Sequence, residues 1–274
     1  MDPLTLVLSI SAVASTLAWL LSLATRDHSW VDRLWSILPV LYLWVFAVSA
    51  GPDNPRPLLM AVLVTLWGVR LTANLARKGG YTGTEDYRWA VLRERMPRWA
   101  FEIVNLLFIV AFQNALLVLI TLPALTAARH NRTELGAVDL AAAALFLVLL
   151  VGEAVADQQQ WRFQAQKRAR NGSPPRFLRT GLWRYSRHPN FFFEQAQWWV
   201  VYLFGAVAAG ALLNLTVVGA LALSLLFVGS TAFTESITVA RYPEYAAYQA
   251  VTSPIVPWPP RRRDVARTST AGGG

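Results

Sequence analysis

The sequence predicts an all-α integral membrane protein with about seven transmembrane helices. Hydrophobic residues make up 55% of the 274 residues and charged residues only 15%, and the mean hydropathy is +0.37. A soluble globular protein carries roughly 25% charged residues. Several apolar runs approach the roughly 20 residues that cross a bilayer, and alternating barrel patterns are absent. Because backbone polar groups in lipid must be paired internally, we expect these runs to be helices.

Seven apolar runs can be counted, and their flanking charges are unevenly distributed. The runs are Leu4–Ala24, Leu34–Ala50, Leu58–Ala76, Phe101–Leu122, Leu135–Ala156, Phe191–Leu213 and Leu215–Thr234. The last two are separated only by Asn214 and its neighbours, so counts of six or eight stay open. With seven spans, nearly all Lys and Arg residues fall on one side of the membrane. The positive-inside rule then places the N-terminus outside and the C-terminus in the cytosol.

Composition also limits the classes of partner. We expect one polytopic membrane domain over residues 1–260 and a disordered polar tail at 261–274. The net charge of +9 does not indicate a nucleic-acid partner, because the basic residues cluster in loops between apolar runs. The absence of cysteine excludes disulfides and thiolate metal sites. The three histidines are far apart in sequence and form no E-x-x-H or H-x-x-x-H pair, so no metal site is predicted.

The most informative segment reads GLWRYSRHPNFFFE and occupies residues 181–194. Pro189 suits the first turn of a helix, and the N–H groups of a helix start flanked by arginines form an anion site. We therefore expect a phosphorylated cofactor here. The alternative is that the arginines only mark the cytosolic edge of a membrane helix. The basic and aromatic residues that we assign to this cofactor site are Arg168, Arg176, Arg184, Tyr185, Arg187, His188, Arg241, Tyr245 and Tyr248.

Three further groups of polar residues lie in or beside the apolar runs. Glu102, Asn105 and Gln113 share one face of an ideal helix, as interhelical hydrogen-bonding groups or as the wall of a substrate cavity. Asp157 lies where the fifth run ends, and it would accept ribose hydroxyls or pair with a nearby arginine. Glu85 precedes a short predicted interfacial helix. Acidic residues at a helix start are stabilised by the helix dipole, so this position also has a purely structural explanation.

Four pieces of sequence resemble the steroid 5-alpha-reductase-like membrane reductases, most closely their bacterial branch, often described only as a domain of unknown function. The pieces are VDRLW (31–35), LWGVRL (66–71) followed by EDYRW (85–89), ADQQQWRF (156–163) followed by GLWRYSRHPNFFFE, and RYPEYAAYQAVTSPIVPWPP (241–260). Together they cover most of the chain in the family's order. The piece from Gly181 to Glu194 is the most specific, although related methyltransferases share its R-H-P core.

This resemblance implies a fold, a cofactor and a reaction. Residues 1–126 would hold a hydrophobic substrate such as a steroid, and residues 135–260 would hold NADPH from the cytosol, in a membrane that is the bacterial inner membrane. The nicotinamide would give hydride to the β-carbon of an α,β-unsaturated ketone, with a side-chain acid polarising the carbonyl. The family's cofactor-contacting residues fall on Asp157, Asn190, Glu194, Arg241 and Tyr248.

The chain departs from the family pattern in its front half. Animal members use a glutamine–glutamate pair that is absent here, and Trp67 stands where they have a tyrosine. We therefore expect the acid to be Asp32 or Tyr87, with Glu85 or Asp86 as the hydrogen-bond partner of the phenol.

Two other classes of function remain open at this point. An S-adenosylmethionine-dependent membrane methyltransferase of the isoprenylcysteine type shares the R-H-P core, but typically continues with an E-E pair where this chain has Thr234, Glu235 and Ser236. A non-enzymatic transporter or assembly factor would use intramembrane polar residues such as Arg70 to line a path.

Overall fold

The computed structural model describes residues 1–130, 134–171 and 174–261, and the described residues form helices and loops without a β-strand. The helices are α1 (Pro3–Thr25), α2 (Trp30–Leu34), α3 (Leu38–Ala50), α4 (Pro55–Arg77), α5 (Tyr87–Glu94), α6 (Arg98–Val104), a π-helix (Asn105–Phe112), α7 (Gln113–Arg129), α8 (Ala137–Ala169), a 3₁₀ turn (Gly181–Arg184), α9 (Pro189–Ala209), α10 (Val217–Arg241) and α11 (Tyr245–Gln249). The predicted tail lies outside the described residues from residue 262 onwards.

Six helical segments in the described part of the chain are long and apolar enough to cross a membrane. They are Pro3–Thr25, Trp30–Ala50, Pro55–Arg77, Arg98–Arg129, Ala137–Ala169 and Val217–Arg241. The remaining predicted span corresponds to α9, which has 21 residues but carries Glu194, Gln195 and Gln197. The chain is therefore an all-helical integral membrane protein. The seventh span and the orientation of the termini stay predictions.

Helix boundaries follow from local sequence. Prolines occupy the first turn of α1, α3 and α4, where a missing N–H costs no hydrogen bond. Asp2 caps α1 by accepting the N–H of Thr5 at 3.1 Å. Gly51 ends α3 with a φ of 78°, a conformation that favours glycine.

The chain groups into two compact units. The first comprises Met1–Val151 and Glu194–Leu226, and the second comprises Gly152–Phe193 together with the chain from Phe227 onwards. The predicted halves 1–126 and 135–260 differ in extent from these units, since residues 135–151 and 194–226 both group with the front of the chain. The functional roles of those halves stay predictions.

The first unit is built on the packing of α1, α3, α4 and α7. Tyr42, Phe46 and Trp67 are fully buried, and the Trp67 and Trp198 rings meet edge to face at 5.0 Å. Helix α1 turns small residues such as Ser11 inward. Small side chains let membrane helices approach closely where no hydrophobic effect drives them together.

Glycines in α9 and α10 mark close helix approaches in this unit. A Cβ atom on Gly219 would lie 2.4 Å from the backbone oxygen of Leu119, and one on Gly205 would lie 2.7 Å from the Cβ of Pro123. Both neighbours belong to α7, where Pro123 lacks the N–H that would otherwise bond the Leu119 carbonyl. The absence of a side chain at these positions is therefore what allows the contacts.

We expect Gly219→Ala to lower the free energy of unfolding by about 1–3 kcal/mol, because the new methyl group overlaps the backbone of α7. Gly229→Ala is the matched control on the same helix, since a Cβ there meets nothing within 4 Å. Unfolding of the detergent-purified protein measures both. Equal stability of the two variants would contradict the close α7–α10 contact.

Candidate functional site

The segment GLWRYSRHPN lies in the second unit, where a 3₁₀ turn leads into α9. Gly181 has a φ of 64°, and a Cβ there would lie 2.6 Å from the side chain of Gln159, so the position suits only glycine. The Gln159 Oε1 atom accepts the N–H of Leu182 at 3.0 Å. The turn is thus fixed against α8 before the basic residues begin.

The C-terminal segment holds the same turn from the other end of the sequence. Ser186 donates its hydroxyl to the Ile255 carbonyl at 2.6 Å, and the Trp258 N–H donates to the Tyr185 carbonyl at 2.9 Å. The Tyr248 hydroxyl donates to the Trp183 carbonyl. Two distant motifs, residues 181–190 and residues 245–258, therefore form one structural element.

A buried carboxylate, Glu235, lies at the centre of this element. Arg187 donates to it through two nitrogens, at 2.6 and 2.8 Å. His188 Nε2 lies 3.0 Å from Oε1, and Gln249 Nε2 donates to Oε2 at 2.8 Å. The Tyr245 hydroxyl donates at 3.3 Å. We call these five residues the Glu235 network.

The Glu235 network bears directly on the predicted cofactor site. The third nitrogen of Arg187 donates to the carbonyls of Gln249 and Thr252, so the whole guanidinium is engaged within the protein. Burial raises the pKa of Tyr245 and of Tyr248 above the usual range, so both phenols are neutral donors. Arg187, His188, Tyr245 and Tyr248 thus have structural partners, and their predicted contacts with a cofactor stay predictions.

Sequence reasoning missed Glu235, which it considered only as part of a missing E-E pair. The available signal was a lone carboxylate near the end of an apolar run, because such a group must have a partner. Its main partner, Arg187, is 48 positions away in the chain. Only the folded structure brings the two together.

Three buried polar oxygens in the second unit have no hydrogen-bond partner among the described residues. They are Oδ1 of Asn190, Oε1 of Gln160 and the hydroxyl of Thr231. A buried acceptor without a donor costs free energy, and most buried polar groups are paired. Asn190 directly follows the rigid R-H-P segment and was predicted to contact the cofactor. Its unpaired oxygen fits a ligand that carries N–H or O–H groups.

A basic cavity of about 720 Å³ lies between the end of α8 and the loop before the 3₁₀ turn. Its polar lining comprises Arg162, Arg170, Arg179, Gln159, Gln166 and Thr180, and none of its lining residues is acidic. We call it the arginine cavity. The three arginines make no ion pair with a described residue. A volume of this size is typical of small-molecule sites.

The other predicted cofactor residues are spread over the second unit. Arg168 lies over the Trp161 ring, Arg241 over Tyr242, and Arg184 over Tyr185. Arg176 lies 3.8 Å from Glu244 in an exposed pair.

The two predicted carboxylates are both buried. Asp157 is buried on α8 in the second unit. Glu194 belongs to the first unit, where its Oε1 accepts the indole N–H of Trp35 at 3.3 Å. The burial of Asp157 and the contact of Glu194 with Trp35 do not test the predicted contacts of these residues with a cofactor.

The predicted catalytic residues lie in the first unit and have different surroundings. Asp32 accepts the indole N–H of Trp89 at 2.8 Å. Glu85 contacts Nδ1 of His28 at 2.9 Å and Arg93 at 3.0 Å. Burial opposes ionisation of Glu85, but the hydrogen bonds from Arg93 and His28 outweigh it and lower its pKa. Tyr87 is exposed.

Both proposed hydrogen-bond partners of Tyr87 already bind other side chains. Glu85 binds His28 and Arg93, while Asp86 caps α5 and pairs with Arg88 at 2.9 Å. The coulombic attraction of Asp86 contributes to a raised pKa of Arg88, although burial acts in the opposite direction. The choice between Asp32 and Tyr87 as the acid stays a prediction.

Three of the four predicted substrate residues are buried, and Glu102 is partly buried, around a long helix that contains a π-helical segment. Asn105 donates to the Ser22 hydroxyl at 3.0 Å, and Trp67 and Gln113 are buried. Buried polar atoms without a described partner include Oδ1 of Asn105, Oε2 of Glu102 and Nε1 of Trp67. The angular relation calculated for an ideal α-helix does not extend from Asn105 to Gln113, because i→i+5 bonding changes the register. The substrate-cavity role of these residues stays a prediction.

These features define a class: an all-helical polytopic membrane protein with an internally saturated carboxylate network and an arginine cavity in one unit. Residues 18–252 match the family described as "Protein of unknown function (DUF1295)", and the chain belongs to that family. Among curated proteins, "Uncharacterized protein C594.04c" of Schizosaccharomyces pombe (strain 972 / ATCC 24843) is 39% identical over 267 residues, covering 90% of this chain and 78% of the relative. No solved structure matches the chain. Because this relative is fungal, the bacterial inner membrane stays a prediction.

Proposed function

We propose that the protein is an NADPH-dependent membrane reductase that acts on the C=C bond of a steroid-like or other lipid α,β-unsaturated ketone. The observation that carries this proposal is the buried, unpaired Oδ1 of Asn190 directly after the rigid R-H-P segment. The resemblance to the steroid 5-alpha-reductase-like reductases assigns a cofactor contact to the same residue. We place the cofactor site on the cytosolic side, following the charge distribution.

The residues of the second unit fit the groups of a dinucleotide. The oxygens of Asn190 and Gln160 would accept hydrogen bonds from the carboxamide and the ribose hydroxyls. The arginines of the arginine cavity match phosphate oxygens, which guanidinium groups bind through two parallel hydrogen bonds. The Glu235 network would keep the turn in place, so that the acceptors are held in position without a ligand.

NADPH, when bound, would supply a hydride, and the protein's own residues would orient the substrate and supply a proton. Asp32 fits the second task best, because the Trp89 indole engages one of its oxygens and fixes the carboxyl group. A hydrophobic substrate would reach the site from the bilayer. The side chains that we expect to line its path are Trp67, Glu102, Asn105 and Gln113.

The methyltransferase alternative is less consistent with the geometry. Such an enzyme binds a cationic sulfonium and an amino group, and a carboxylate without another partner is one group that could do so. Glu235 replaces the E-E pair of that family, and Arg187, His188 and Gln249 saturate both of its oxygens. Its charge is therefore already balanced within the protein.

We expect Asn190→Ala to weaken NADPH binding by about tenfold or more. The substitution removes the acceptor of a buried N–H or O–H group of the cofactor, which costs about 1–3 kcal/mol. Tryptophan fluorescence of the detergent-purified protein, titrated with NADPH and separately with S-adenosylmethionine, measures this. Gln195→Ala is the control, because it removes another carboxamide from α9. Unchanged NADPH affinity in Asn190→Ala would contradict the site, and binding of S-adenosylmethionine alone would favour the alternative.

Turnover gives a second readout. A 3-oxo-Δ4 steroid should be reduced with loss of NADPH absorbance, and Asp32→Asn should abolish this while NADPH binding is retained. Full turnover by Asp32→Asn would exclude Asp32 as the acid.

A further inference from the structure

We propose that the arginine cavity binds the phosphate group of a soluble phosphate ester. The proposal depends only on charge and hydrogen-bond donors, so it does not rest on the reductase reaction. The chemistry is that of any such ester, the 2′-phosphate of NADPH included. Of the residues concerned, Arg162 and Arg170 are not assigned to the cofactor by the sequence, whereas Arg179 is one of the arginines just before the helix start where the sequence predicts a phosphorylated cofactor.

The charge of the cavity has no counter-ion within the described protein. Three guanidinium groups line it without a carboxylate, and because all three arginines are exposed, solvent screens part of the repulsion between them. The helix dipole explains part of this arrangement, because cations stabilise the last turn of a helix. It accounts for Arg170, which directly follows α8. It does not account for Arg162, about two turns earlier, or for Arg179, which lies in the loop.

The donors converge because of their spacing. Arg162, Gln166 and Arg170 are four residues apart and therefore follow one face of the helical end of α8. Gln159 gives its carboxamide oxygen to the Leu182 N–H, so the group that it has left is an NH₂ donor. Arg179 and Thr180 complete the lining from the loop side. A lining of donors without acidic acceptors fits an anion, and several guanidiniums together fit a phosphate.

The described part of the loop that lines the cavity, residues 174–180, is anchored to the second unit. Lys167 donates to the Arg176 carbonyl at 2.7 Å. The Phe177 ring meets Tyr245 edge to face at 5.0 Å and stacks on Tyr248 at 5.7 Å. The arginine at position 179 follows this aromatic anchor by two residues. The cavity is thus a constructed feature of the fold and not a gap beside an unattached loop.

The length of α8 favours a soluble ligand over a lipid headgroup. The apolar run of this helix ends near Ala156, and Arg170 follows about 14 residues later, which is roughly 20 Å along the helix at 1.5 Å per residue. The headgroup layer is only roughly 5–8 Å thick on each side of the hydrocarbon core. A phospholipid phosphate would therefore not reach the far end of the cavity.

Calorimetric titration of the full detergent-purified chain with adenosine 2′,5′-bisphosphate tests the proposal, with adenosine as the unphosphorylated probe. We expect the bisphosphate to bind and adenosine not to bind. Arg162→Gln and Arg179→Gln should each weaken binding by roughly tenfold to a hundredfold, as expected for lost hydrogen bonds to a charged group. The control is Arg98→Gln, which removes an exposed arginine of the first unit. Thermal unfolding checks that all three variants are folded.

Equal affinity in the wild type and both cavity variants, or no binding of the bisphosphate at all, would overturn the proposal. A lipid arm distinguishes the two sources of phosphate. The titration is repeated in nanodiscs of phosphatidylcholine with and without phosphatidic acid. Loss of bisphosphate binding only with phosphatidic acid, accompanied by less bound phosphatidic acid in Arg162→Gln, would show a headgroup site and overturn the soluble ligand. Failure of Asn190→Ala to change NADPH affinity would leave this inference intact.

Discussion

Glu235→Ala should destabilise the protein by about 3–5 kcal/mol, the usual cost of removing one partner from a buried ion pair. The substitution leaves the Arg187 guanidinium, buried with carbonyls as its other partners, without a compensating charge. It also removes the acceptor of His188 and Gln249. The turn that carries GLWRYSRHPN and the C-terminal segment would lose their common centre.

The matched control is Glu244→Ala, which removes a carboxylate from the same unit at an exposed position. Glu244 lies 3.8 Å from Arg176, and exposed pairs of this kind contribute about 0–1 kcal/mol. Unfolding midpoints of both variants, measured in the same detergent, give the comparison. Glu235→Gln should fall between them, since its amide still accepts hydrogen bonds but carries no charge. Similar midpoints for the Glu235 and Glu244 variants would show that the network does not hold the unit together.

The sequence predicted the helices well, because a membrane span is specified by length and apolar composition. The end of α8 shows the limit of this signal. The apolar run stops at Ala156, but the helix continues to Ala169, since exposed Gln, Lys and Arg are good helix formers that carry no membrane signal. The arginine cavity depends on this extension. The i, i+4, i+8 spacing of Arg162, Gln166 and Arg170 is visible in the sequence, yet its meaning requires the helix to be known.

The role of individual residues was less predictable than their location. The sequence drew attention to Arg187 and His188 because arginine and histidine at a helix start suit phosphates. The fold gives both of them a carboxylate partner from α10, and no local pattern reports a partner 48 positions away. The π-helical segment after Val104 also departs from the prediction. The spacing of polar residues assumes α-helical geometry, which does not anticipate i→i+5 hydrogen bonds.

The bidentate pair of Arg56 and Asp139 should be as important to the first unit as Glu235 is to the second. Arg56 donates to both carboxylate oxygens, at 2.7 and 2.9 Å, and both side chains are buried. The pair joins the first turn of α4 to the first turn of α8. Asp139 additionally accepts the N–H of Gly136 at 2.9 Å. The single variants Arg56→Met and Asp139→Leu should therefore each cost about 3–5 kcal/mol.

The double variant decides whether charge or packing causes that loss. A buried pair replaced by apolar residues of similar size is often as stable as the original, because the desolvation penalty of both ions disappears. We therefore expect Arg56→Met combined with Asp139→Leu to recover most of the stability, less about 1 kcal/mol for the lost cap at Gly136. Unfolding of the four proteins in one detergent completes the cycle. A double variant as unstable as the sum of the single variants would mean that the two side chains act independently, and that the ion pair does not join α4 to α8.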